Sequence, residues 1–528
     1  MIDYLRIIGF KNLQDFKISF KHGINIIIGD NDAGKTTILE ALNLVLTGTL
    51  FGKSIFTEIS PYIFNADLVR YFINTIGTPE CIPPKIIIEA VFFDTDETAR
   101  YRGINNLDRV DLPGVSIVVD LDKEFTEEYK QYIKEKEEVH SVPTEFYGVS
   151  WAFFSGNPVG GRSNQIRSTY IDAASIRFAS GSDRFINKVI NDALTEKDKA
   201  RLSIEYRKLR ETFSKINGVE TINSSLAEKG KEITKNDFKV SVDISAKSGW
   251  DSVLIPYLDD IPFQFIGMGE QSKLKIGFAL NATLEKTSVF LIEEPENHLS
   301  FTNMASLIDQ ISKMCDERQV IISTHNSFVL NKLGLDNLRL LHAKKSISLV
   351  ELSASTVSYF KRLPGYDTLR MVLAKSIILV EGPTEELIIQ RLYLDKYGTL
   401  PISNNVDIIS VRGLSFKRFL EISKQLKIKT QVITDNDGDI AAVKAKYSDY
   451  EGIETIKIIY PENASLSTIE IAFCACNTVA NLNKIFIKDF GSIEEIKNWM
   501  LNNKTEWSLR VFESAEKIEY PEYIKNAI

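Results

Sequence analysis

The sequence has few cysteines, no excess of positive charge and no long apolar run. Its four cysteines are Cys81, Cys315, Cys474 and Cys476, and none belongs to a CxxC pair. The usual spacing of a structural zinc site is therefore missing, and so sparse a set fits a reduced cytoplasmic protein. Because the formal net charge is −8 and the pI is about 5.5, any contact with DNA must be local rather than driven by a global positive field.

The hydropathy pattern offers no membrane segment. No stretch reaches the roughly 18 consecutive apolar residues of a membrane helix. Asp3 and Arg6 interrupt the apolar N-terminal stretch, which is unlike a signal peptide. We therefore expect no membrane partner and a cytoplasmic location. Hydrophobic residues at 44% and charged residues at 25% are typical of globular protein, and 528 residues exceed one hydrophobic core, so we expect two main domains.

Strand and helix patterns alternate along much of the chain. Short apolar runs between 50 and 180 favour strands, while the charged stretch 127–139 is typical of a solvated helix face. The later order is helix 271–284, strand 289–292, helix 301–315 and strand 320–323. Strands that alternate with helices predict a parallel sheet covered by helices.

A glycine-rich loop follows the second of two predicted N-terminal strands. These strands cover 5–10 and 24–28, and a helix is predicted over 36–46. The sequence GDNDAGKT at 29–36 matches GxxxxGK[ST] in the strand-loop-helix context that a Walker A motif needs. Backbone N–H groups would hold the ATP phosphates, and Lys35 would reach the β and γ oxygens. The residues assigned to this site are Gly29, Asn31, Gly34, Lys35, Thr36 and Thr37, with Thr36 also binding Mg²⁺.

Two further apolar strands end in polar residues that suit ATP hydrolysis. The strand 289–292 ends in Glu293 and Glu294, which resembles a Walker B motif. Glu293 would contact Mg²⁺ and Glu294 would act as the general base. A capped helix start is the alternative interpretation, and the preceding strand makes it less favoured. The strand 320–322 is followed by His325, which resembles the histidine that senses the γ-phosphate in ABC-type ATPases.

The segment GMGEQ at 267–271 precedes a predicted helix and resembles a degenerate signature loop. In ABC-type ATPases this loop contacts the nucleotide of the opposite protomer. The resemblance therefore implies a homodimer or higher homo-oligomer, with Gly269 at the nucleotide. Met268 and Glu270 stand where the LSGGQ pattern has serine and its second glycine, and Glu293 stands where aspartate is usual in Walker B.

A helical hairpin is predicted between 195 and 233. Apolar residues recur at alternating steps of four and three at Leu202, Tyr206, Leu209, Phe213 and Ile216. Gly218 is expected to end this helix, and Ile222, Leu226 and Ile233 would belong to a shorter returning helix. Packing on its own domain and a dimer contact both remain open for this seam.

Two more strand ends carry clustered carboxylates. Strand 376–380 leads to Glu381, and Thr384 is expected to cap a helix whose first turn holds Glu385. Strand 431–434 leads to the sequence DNDGD, whose alternate acids are Asp435, Asp437 and Asp439. Carboxylates suit Mg²⁺ or Mn²⁺, and two such ions together support in-line phosphodiester hydrolysis.

The DNDGD segment has two other interpretations. An EF-hand calcium loop needs glutamate at its twelfth position, and Lys446 stands there instead. A Gly-Asp-rich surface turn is the simpler alternative, which the preceding strand and the matching Glu381 motif make less favoured.

The order of these motifs along the chain resembles the OLD family (overcoming lysogenization defect). The resemblance implies an α/β protein in which an ABC/SMC-like P-loop ATPase over 1–355, with a helical dimerisation insert at about 185–240, is followed by a linker and a Toprim domain. The linker would cover 356–372 and the Rossmann-like Toprim domain 373–528. By the same resemblance, Glu470 joins the metal ligands and Lys504 completes the site, stabilising negative charge on the phosphate.

The resemblance implies an ATP-hydrolysing, divalent-metal-dependent DNA endonuclease. Its cofactors would be ATP and Mg²⁺ or Mn²⁺, with one ion at the nucleotide and two in the Toprim site. Antiphage defence or DNA processing, with DNA and a co-encoded defence protein as partners, would be its setting. An SMC- or RecF-like DNA clamp without nuclease activity is the main alternative. A topoisomerase or primase is less favoured, because no zinc-ribbon cysteines or separate tyrosine-bearing domain are evident.

Overall fold

The structure is a computed structural model of the chain. It describes all residues except 52, 58, 135–138, 161–165, 173–177, 180, 181, 184–193, 231–237, 243–249, 251–253, 283–287, 315–317, 343, 350, 351, 363–365 and 414. Cys315 and Ile233, and parts of the predicted insert and linker, therefore lie outside the described residues. No helix in the described ranges combines the length and apolar character that crossing a bilayer requires.

The chain divides into two compact units. One comprises residues 1–25 and 34–324, and the other comprises residues 26–33 and 325–528. The strand that leads into the Walker A loop thus belongs mainly to the second unit. The domain boundaries predicted at 355 and 373 fall inside that unit and stay predictions.

Strands of widely different length occur in both units. Among the described residues they are β1 (Ile2–Phe10), β2 (Leu13–Ser19), β3 (Ile24–Gly29), β4 (Thr49–Leu50), β5 (Lys53–Ser54), β6 (Ile86–Phe92), β7 (Arg102–Gly103), β8 (Leu112–Leu121), β9 (Tyr147–Phe153), β10 (Ser168–Asp172), β11 (Phe178–Ala179), β12 (Ser182–Asp183), β13 (Tyr257–Leu258), β14 (Ile261–Pro262), β15 (Val289–Glu293), β16 (Gln319–Ser323), β17 (Leu338–His342), β18 (Lys345–Ser348), β19 (Ser376–Val380), β20 (Val406–Ser410), β21 (Lys429–Ile433) and β22 (Ile456–Ile459).

Helices connect these strands and dominate the C-terminal part. Within the described ranges they are α1 (Lys35–Thr47), α2 (Ala66–Thr75), α3 (Thr126–Tyr132), α4 (Glu196–Phe213), α5 (Asn217–Gly230), α6 (Met268–Ala282), α7 (Phe301–Met314), α8 (Ser327–Leu333), α9 (Ala354–Arg362), α10 (Tyr366–Leu373), α11 (Pro383–Tyr397), α12 (Phe416–Leu426), α13 (Ile440–Tyr447), α14 (Ile469–Cys476), α15 (Val479–Phe486), α16 (Ile493–Asn502), α17 (Lys504–Glu513) and α18 (Glu522–Lys525).

The first unit contains an antiparallel sheet and a group of parallel strands. The antiparallel strands pair in the order β2-β1-β6-β8-β7, with β9 on β8. The parallel strands β10, β15 and β16 align Asp172 with Glu293 and Glu293 with Ser323. The buried Gln319 amide joins the two parts, because it donates to the Ile2 carbonyl at 2.7 Å and accepts from the Ile2 N–H at 2.8 Å. Helix α1 packs on the parallel strands, as its apolar sequence predicts.

The second unit contains a four-stranded parallel sheet in the order β20-β19-β21-β22. Helices α11 and α14 to α18 contribute to a hydrophobic core around the fully buried Trp507, whose ring lies 5.3 Å from that of Phe473. This arrangement confirms the predicted parallel α/β class of the C-terminal part. Strand β3 also belongs here through its parallel pairing with β17, which places Leu341 opposite Gly29.

The predicted helical hairpin is present as α4 and α5, but its turn differs. Gly218 was expected to end the first helix, and this prediction is wrong. Helix α4 ends at Phe213, and Gly218 is the second residue of α5. Ser214 is the cap residue of α4, and backbone hydrogen bonds that begin at Ile216 already start the second helix.

Candidate functional site

The Walker A loop has the backbone geometry that phosphate binding requires. Gly34 has φ of +100°, which favours glycine, and it is the N-cap of α1 without a side-chain cap. The first N–H groups of a helix point outward and attract anions when no side chain caps them. Gly29 also needs to lack a side chain, because a Cβ there would lie 2.9 Å from the Cβ atoms of Ala33 and Leu341.

The turn between β1 and β2 supports the first turns of α1. Asn12 Oδ1 accepts a hydrogen bond of 2.9 Å from the Thr37 hydroxyl, and a Cβ at Gly34 would lie 3.0 Å from Leu13. Lys11 in this turn forms an ion pair with Glu40 of α1. The sequence alone did not reveal this support, and Thr37, assigned there to the nucleotide, has an intramolecular partner.

The Walker B carboxylate of Glu293 is held from two sides. The Thr36 hydroxyl donates to Glu293 Oε1, and the Tyr170 hydroxyl donates to Glu293 Oε2. Burial raises the pKa of Glu293, the two hydroxyl donors lower it, and Asp172 and Glu40 raise it again, so that the net direction is upward. The structure therefore brings the predicted Walker A and Walker B residues together, and it adds Tyr170.

The remaining predicted ATPase residues are Glu294, His325 and Gly269. Glu294 has φ of +42°, and its Oε2 accepts a hydrogen bond of 2.7 Å from the Asn297 amide. His325 follows β16, and Asn326 caps α8 immediately after it. A Cβ at Gly269 would lie 2.4 Å from the His298 carbonyl oxygen, so a close backbone approach explains this glycine without a nucleotide. The catalytic and nucleotide roles of these residues stay predictions.

The second acidic site forms where β19 and β21 end side by side. Glu381 Oε1 accepts hydrogen bonds from the Thr434 hydroxyl at 2.7 Å and from the Asp435 N–H at 3.2 Å. The carboxyl ends of neighbouring parallel strands meet at one sheet edge, which explains this approach across 54 residues of sequence. Strand β21 ends one residue earlier than predicted, so that Thr434 belongs to the site and not to the strand.

Glu385 lies in the first turn of α11, as predicted, but the cap was predicted wrongly. The N-cap is Gly382, whose N–H donates to Glu385 Oε2 at 2.9 Å, and the helix begins at Pro383. Thr384 is already inside the first turn and buried. The reason is that proline suits the first helical position, which moves the start of the helix ahead of the threonine.

Glu470 and Lys504, predicted only through family resemblance, lie beside these acids. Glu470 is fully buried at the start of α14, and Lys504 Nζ lies 3.4 Å from its Oε1. This separation is that of an ion pair, and neither Glu470 oxygen has a hydrogen-bond partner among the described residues. A buried carboxylate with no hydrogen bond is costly, so Glu470 is oriented for a cation.

The carboxylates of this site influence each other strongly. Burial, and then the negative charges of Glu381, Glu385 and Glu470, raise the pKa of Asp435 to about 8. Burial and the same kind of repulsion raise the pKa of Glu385 to about 7. Partial burial lowers the pKa of Lys504, but Glu470, Glu385 and Asp435 outweigh this effect and raise it overall. A positive charge placed among these carboxyl groups would therefore stabilise their ionised forms.

Asp437 and Asp439 are placed differently from Asp435. Both are exposed, and Asp439 caps α13 by accepting a hydrogen bond of 3.0 Å from Ala442 N–H. The buried Asn436 shapes the loop, because its amide donates to Pro461 O at 2.8 Å. The assignment of Asp437 and Asp439 as metal ligands stays a prediction, and a helix cap already explains Asp439.

The donor chemistry fits a hard divalent cation, although the ligands are not preassembled. Among the described residues, no three histidine, cysteine, aspartate or glutamate side chains converge at ligand distance. The fit rests instead on four oxygen donors that interact electrostatically, Glu381, Glu385, Asp435 and Glu470. It also rests on the oxygens of Glu470, which have no hydrogen bond among the described residues. These residues would hold Mg²⁺ or Mn²⁺.

Family models match three segments of the chain. The model described as "Overcoming lysogenization defect protein-like, TOPRIM domain" matches residues 372–437. An AAA domain model matches residues 4–134, and a second AAA domain model, whose description also names the AbiEii toxin of type IV toxin–antitoxin systems, matches residues 167–331. The chain joins an ATPase to an OLD-like Toprim domain. The predicted resemblance to the OLD family and the predicted fold class are thereby confirmed.

The chain is also similar to individual proteins. Endonuclease GajA of Bacillus cereus (strain VD045) is 22% identical over 517 residues, which cover 88% of this chain and 79% of that protein. RecF of Actinobacillus succinogenes is 38% identical over 61 residues, 12% of this chain and 17% of RecF. The SMC head domain from Thermotoga maritima covers 65% of this chain and 97% of its own at 13% identity, with a TM-score of 0.31. So low a TM-score carries no weight of its own.

Tyr523 of the OLD-like Toprim site was not predicted from the sequence. Tyr523 of α18 is buried, and its hydroxyl has no hydrogen-bond partner among the described residues. Burial raises its pKa far above the usual value, and the charges of Asp435 and Glu385 raise it further, so the hydroxyl keeps its proton. No local pattern marks Tyr523, because it reaches the site through the packing of the last helix.

Proposed function

We propose that the chain is a divalent-metal-dependent DNA endonuclease whose activity is controlled by ATP. The observation that carries this proposal is the gathering of Glu381, Glu385, Asp435 and Glu470, with Lys504, around the ends of β19 and β21. Supporting it, the Toprim match covers two of these strand ends, and the relative GajA is named an endonuclease.

The chain's own residues have distinct tasks in this reaction. Bound ions would polarise the scissile phosphate and supply an activated water. Glu381 is held by Thr434, so its carboxylate is fixed before substrate arrives. Lys504, exposed and beside Glu470, can reach a phosphate oxygen and stabilise the negative charge that develops there.

Incubation of the purified chain with supercoiled, relaxed and linear DNA tests the proposal. Mg²⁺, Mn²⁺ and EDTA are compared, each with and without ATP. We expect cleavage only with a divalent ion, and a change in rate when ATP is added. Intact DNA under every condition, together with ATP-dependent retention of DNA, would favour the RecF-like clamp instead, which the short similarity to RecF supports.

ATP control has a structural route inside the second unit. Helix α8 begins two residues after His325, and both α9 and α10 pack on it. Helix α10 in turn packs on β20, where the Arg370 guanidinium pairs with the buried Asp407 and donates to the Ile408 carbonyl at 2.9 Å. Strand β20 pairs with β19, and Glu381 directly follows β19. A shift of α8 would therefore reach the acidic site through packed elements.

A second contact anchors α9. Glu421 of α12 accepts hydrogen bonds from the Ser353 hydroxyl at 3.0 Å and the Thr356 hydroxyl at 2.5 Å, at the start of α9. Arg418 of the same helix donates to the Ser355 carbonyl. The described parts of the segment predicted as a linker thus lie in helices α9 and α10, and the start of α9 is held by α12.

Removal of the Arg370–Asp407 pair is expected to weaken ATP control. In the double variant Arg370→Gln/Asp407→Asn no buried charge is left alone. The rates of cleavage without nucleotide and of ATP hydrolysis should stay within about twofold of wild type, whereas the ATP-induced change in cleavage, about fivefold or more in wild type, should shrink toward none. Lys417→Ala, which removes an exposed ion pair of α12, is the control. An unchanged ATP response in the double variant would contradict this route.

The homo-oligomer is proposed to form through the helical hairpin. Helix α4 has no buried residue in the single chain, and Leu209 and Phe213 on its predicted seam are 65% and 54% exposed. Water-exposed apolar residues at heptad spacing gain most from a partner helix.

Glutamate at this seam is expected to dissociate the oligomer. Leu209→Glu/Phe213→Glu should elute with the mass of one chain in light scattering coupled to size exclusion, whereas wild type should show at least twice that mass. Lys208→Glu places the same charged group on the polar side of α4 and should leave the mass unchanged. An oligomer that survives the seam variant would place the contact elsewhere.

A further inference from the structure

Tyr170 contacts the Walker B carboxylate from a neighbouring strand. Its hydroxyl donates to Glu293 Oε2, while Glu293 Oε1 accepts from the Thr36 hydroxyl of the Walker A motif. Strands β10 and β15 are parallel, with Asp172 opposite Glu293, so that Tyr170 lies two residues before this pair. Two residues of a strand span about 6.6 Å, a distance that a tyrosine side chain covers and a shorter polar side chain does not.

The two hydroxyl contacts define the orientation of the Glu293 side chain. A carboxylate can rotate about its last side-chain bond, and with one oxygen held by Tyr170 the other must face Thr36. The Tyr170 hydroxyl is the donor to Oε2, so this contact leaves Oε1 directed to the Walker A side of the site.

The length of the Glu293 side chain fits this arrangement. Aspartate, the usual Walker B residue, would withdraw the carboxylate by about 1.5 Å, one carbon–carbon bond. From there it could not keep hydrogen bonds to both Thr36 and Tyr170. Glutamate at position 293 and tyrosine at position 170 form a matched pair, in which the longer and more mobile acid requires a tether.

We propose that Tyr170 is a positioning residue that fixes Glu293 toward Thr36 and the Mg²⁺ of bound nucleotide. This inference rests on the nucleotide site of the proposed function. A tyrosine that only filled space would stabilise the fold without changing how the protein depends on Mg²⁺. A positioning role instead predicts that removal of the hydroxyl weakens the Mg²⁺-dependent part of nucleotide binding and leaves the remaining part intact.

Fluorescent N-methylanthraniloyl-ADP, titrated in EDTA and at a series of Mg²⁺ concentrations, separates these two parts. For Tyr170→Phe we expect the Mg²⁺ concentration at half-maximal binding to rise about tenfold, the usual effect of losing a hydrogen bond to a charged group. Nucleotide affinity in EDTA should not change. Tyr147→Phe is the matched control, because its buried hydroxyl donates to the Pro84 carbonyl at 2.9 Å in the antiparallel sheet, away from Glu293.

A double-mutant cycle tests the pairing itself. Glu293→Asp is expected to raise the half-maximal Mg²⁺ concentration although aspartate is the usual residue. Addition of Tyr170→Phe to this variant should then have almost no further effect, because the contact is already lost. If Tyr170→Phe does not fold, Glu293→Asp alone tests the inference. A Mg²⁺ dependence of Glu293→Asp equal to that of wild type would overturn it.

Two results would overturn the inference while leaving the nucleotide site intact. One is Mg²⁺ dependence of Tyr170→Phe within twofold of wild type, and the other is full additivity in the double variant. Absence of Mg²⁺-dependent nucleotide binding in wild type would instead contradict the proposed ATPase site. The two failures are therefore distinguishable.

Discussion

Asp435→Asn is expected to reduce the rate of DNA cleavage about a thousandfold, because it removes a proposed oxygen ligand of the metal from the centre of the acidic site. Asparagine has nearly the same shape, so the hydrogen bond from the residue 435 N–H to Glu381 should persist. The measurement is the initial rate of linearisation of supercoiled DNA with saturating Mg²⁺ or Mn²⁺. ATP hydrolysis by the same variant should stay within about twofold of wild type.

A measurement of folding stability distinguishes this loss of cleavage activity from a structural defect. Burial and three neighbouring carboxylates oppose the charged form of Asp435 and raise its pKa to about 8. A neutral asparagine removes this repulsion, so the melting temperature of Asp435→Asn in EDTA should be no lower than that of wild type. Added Mn²⁺ should raise the melting temperature of wild type more than that of the variant, because a ligand stabilises the state that binds it.

A matched control removes one negative charge elsewhere in the Toprim domain. Asp449 is exposed and pairs with Lys417 at 3.5 Å, so Asp449→Asn changes net charge equally and should leave cleavage unaffected. Cleavage by Asp435→Asn at more than a tenth of the wild-type rate would show that the hydrolytic centre lies outside this acidic site.

Local patterns predicted the strands and the residues at their ends. The strand before Gly29 and the strand before Glu381 are short apolar runs, and each is followed within a few residues by a helix. In a parallel sheet such strand ends share one edge, so neighbouring motifs were expected to meet, as Glu381 and Asp435 do.

Partners distant in sequence were not predictable in this way. Tyr170 meets Glu293 across 123 residues, and Tyr523 enters the acidic site from the last helix, without any spacing that marks either one. Glu470 and Lys504 were found only through family resemblance, because one acid and one lysine on separate helices carry no pattern. Details of helix starts were also missed where proline and glycine, as at Gly382, override a preferred cap.

Lys35→Ala is expected to reduce ATP hydrolysis about a hundredfold or more, because in the proposed site the lysine supplies the positive charge that faces the β and γ phosphates. Lys35 is the first residue of α1 and only 7% exposed, so another cation cannot easily replace it. Release of inorganic phosphate from ATP measures the effect. Lys313→Ala is the control, because it removes one exposed lysine that pairs with Asp309.

Cleavage by Lys35→Ala reveals the direction of ATP control. The acidic site contains no residue of the Walker A loop, so metal-dependent cleavage without nucleotide should persist within about twofold of wild type. Addition of ATP should then no longer change the rate. If ATP activates cleavage in wild type, the variant should stay at the basal rate, and if ATP inhibits, the variant should stay fully active when ATP is present. If a variant that neither binds nor hydrolyses ATP still shows the ATP response of wild type, the nucleotide acts at a second site. The proposed route through α8 and α10 would then not explain ATP control.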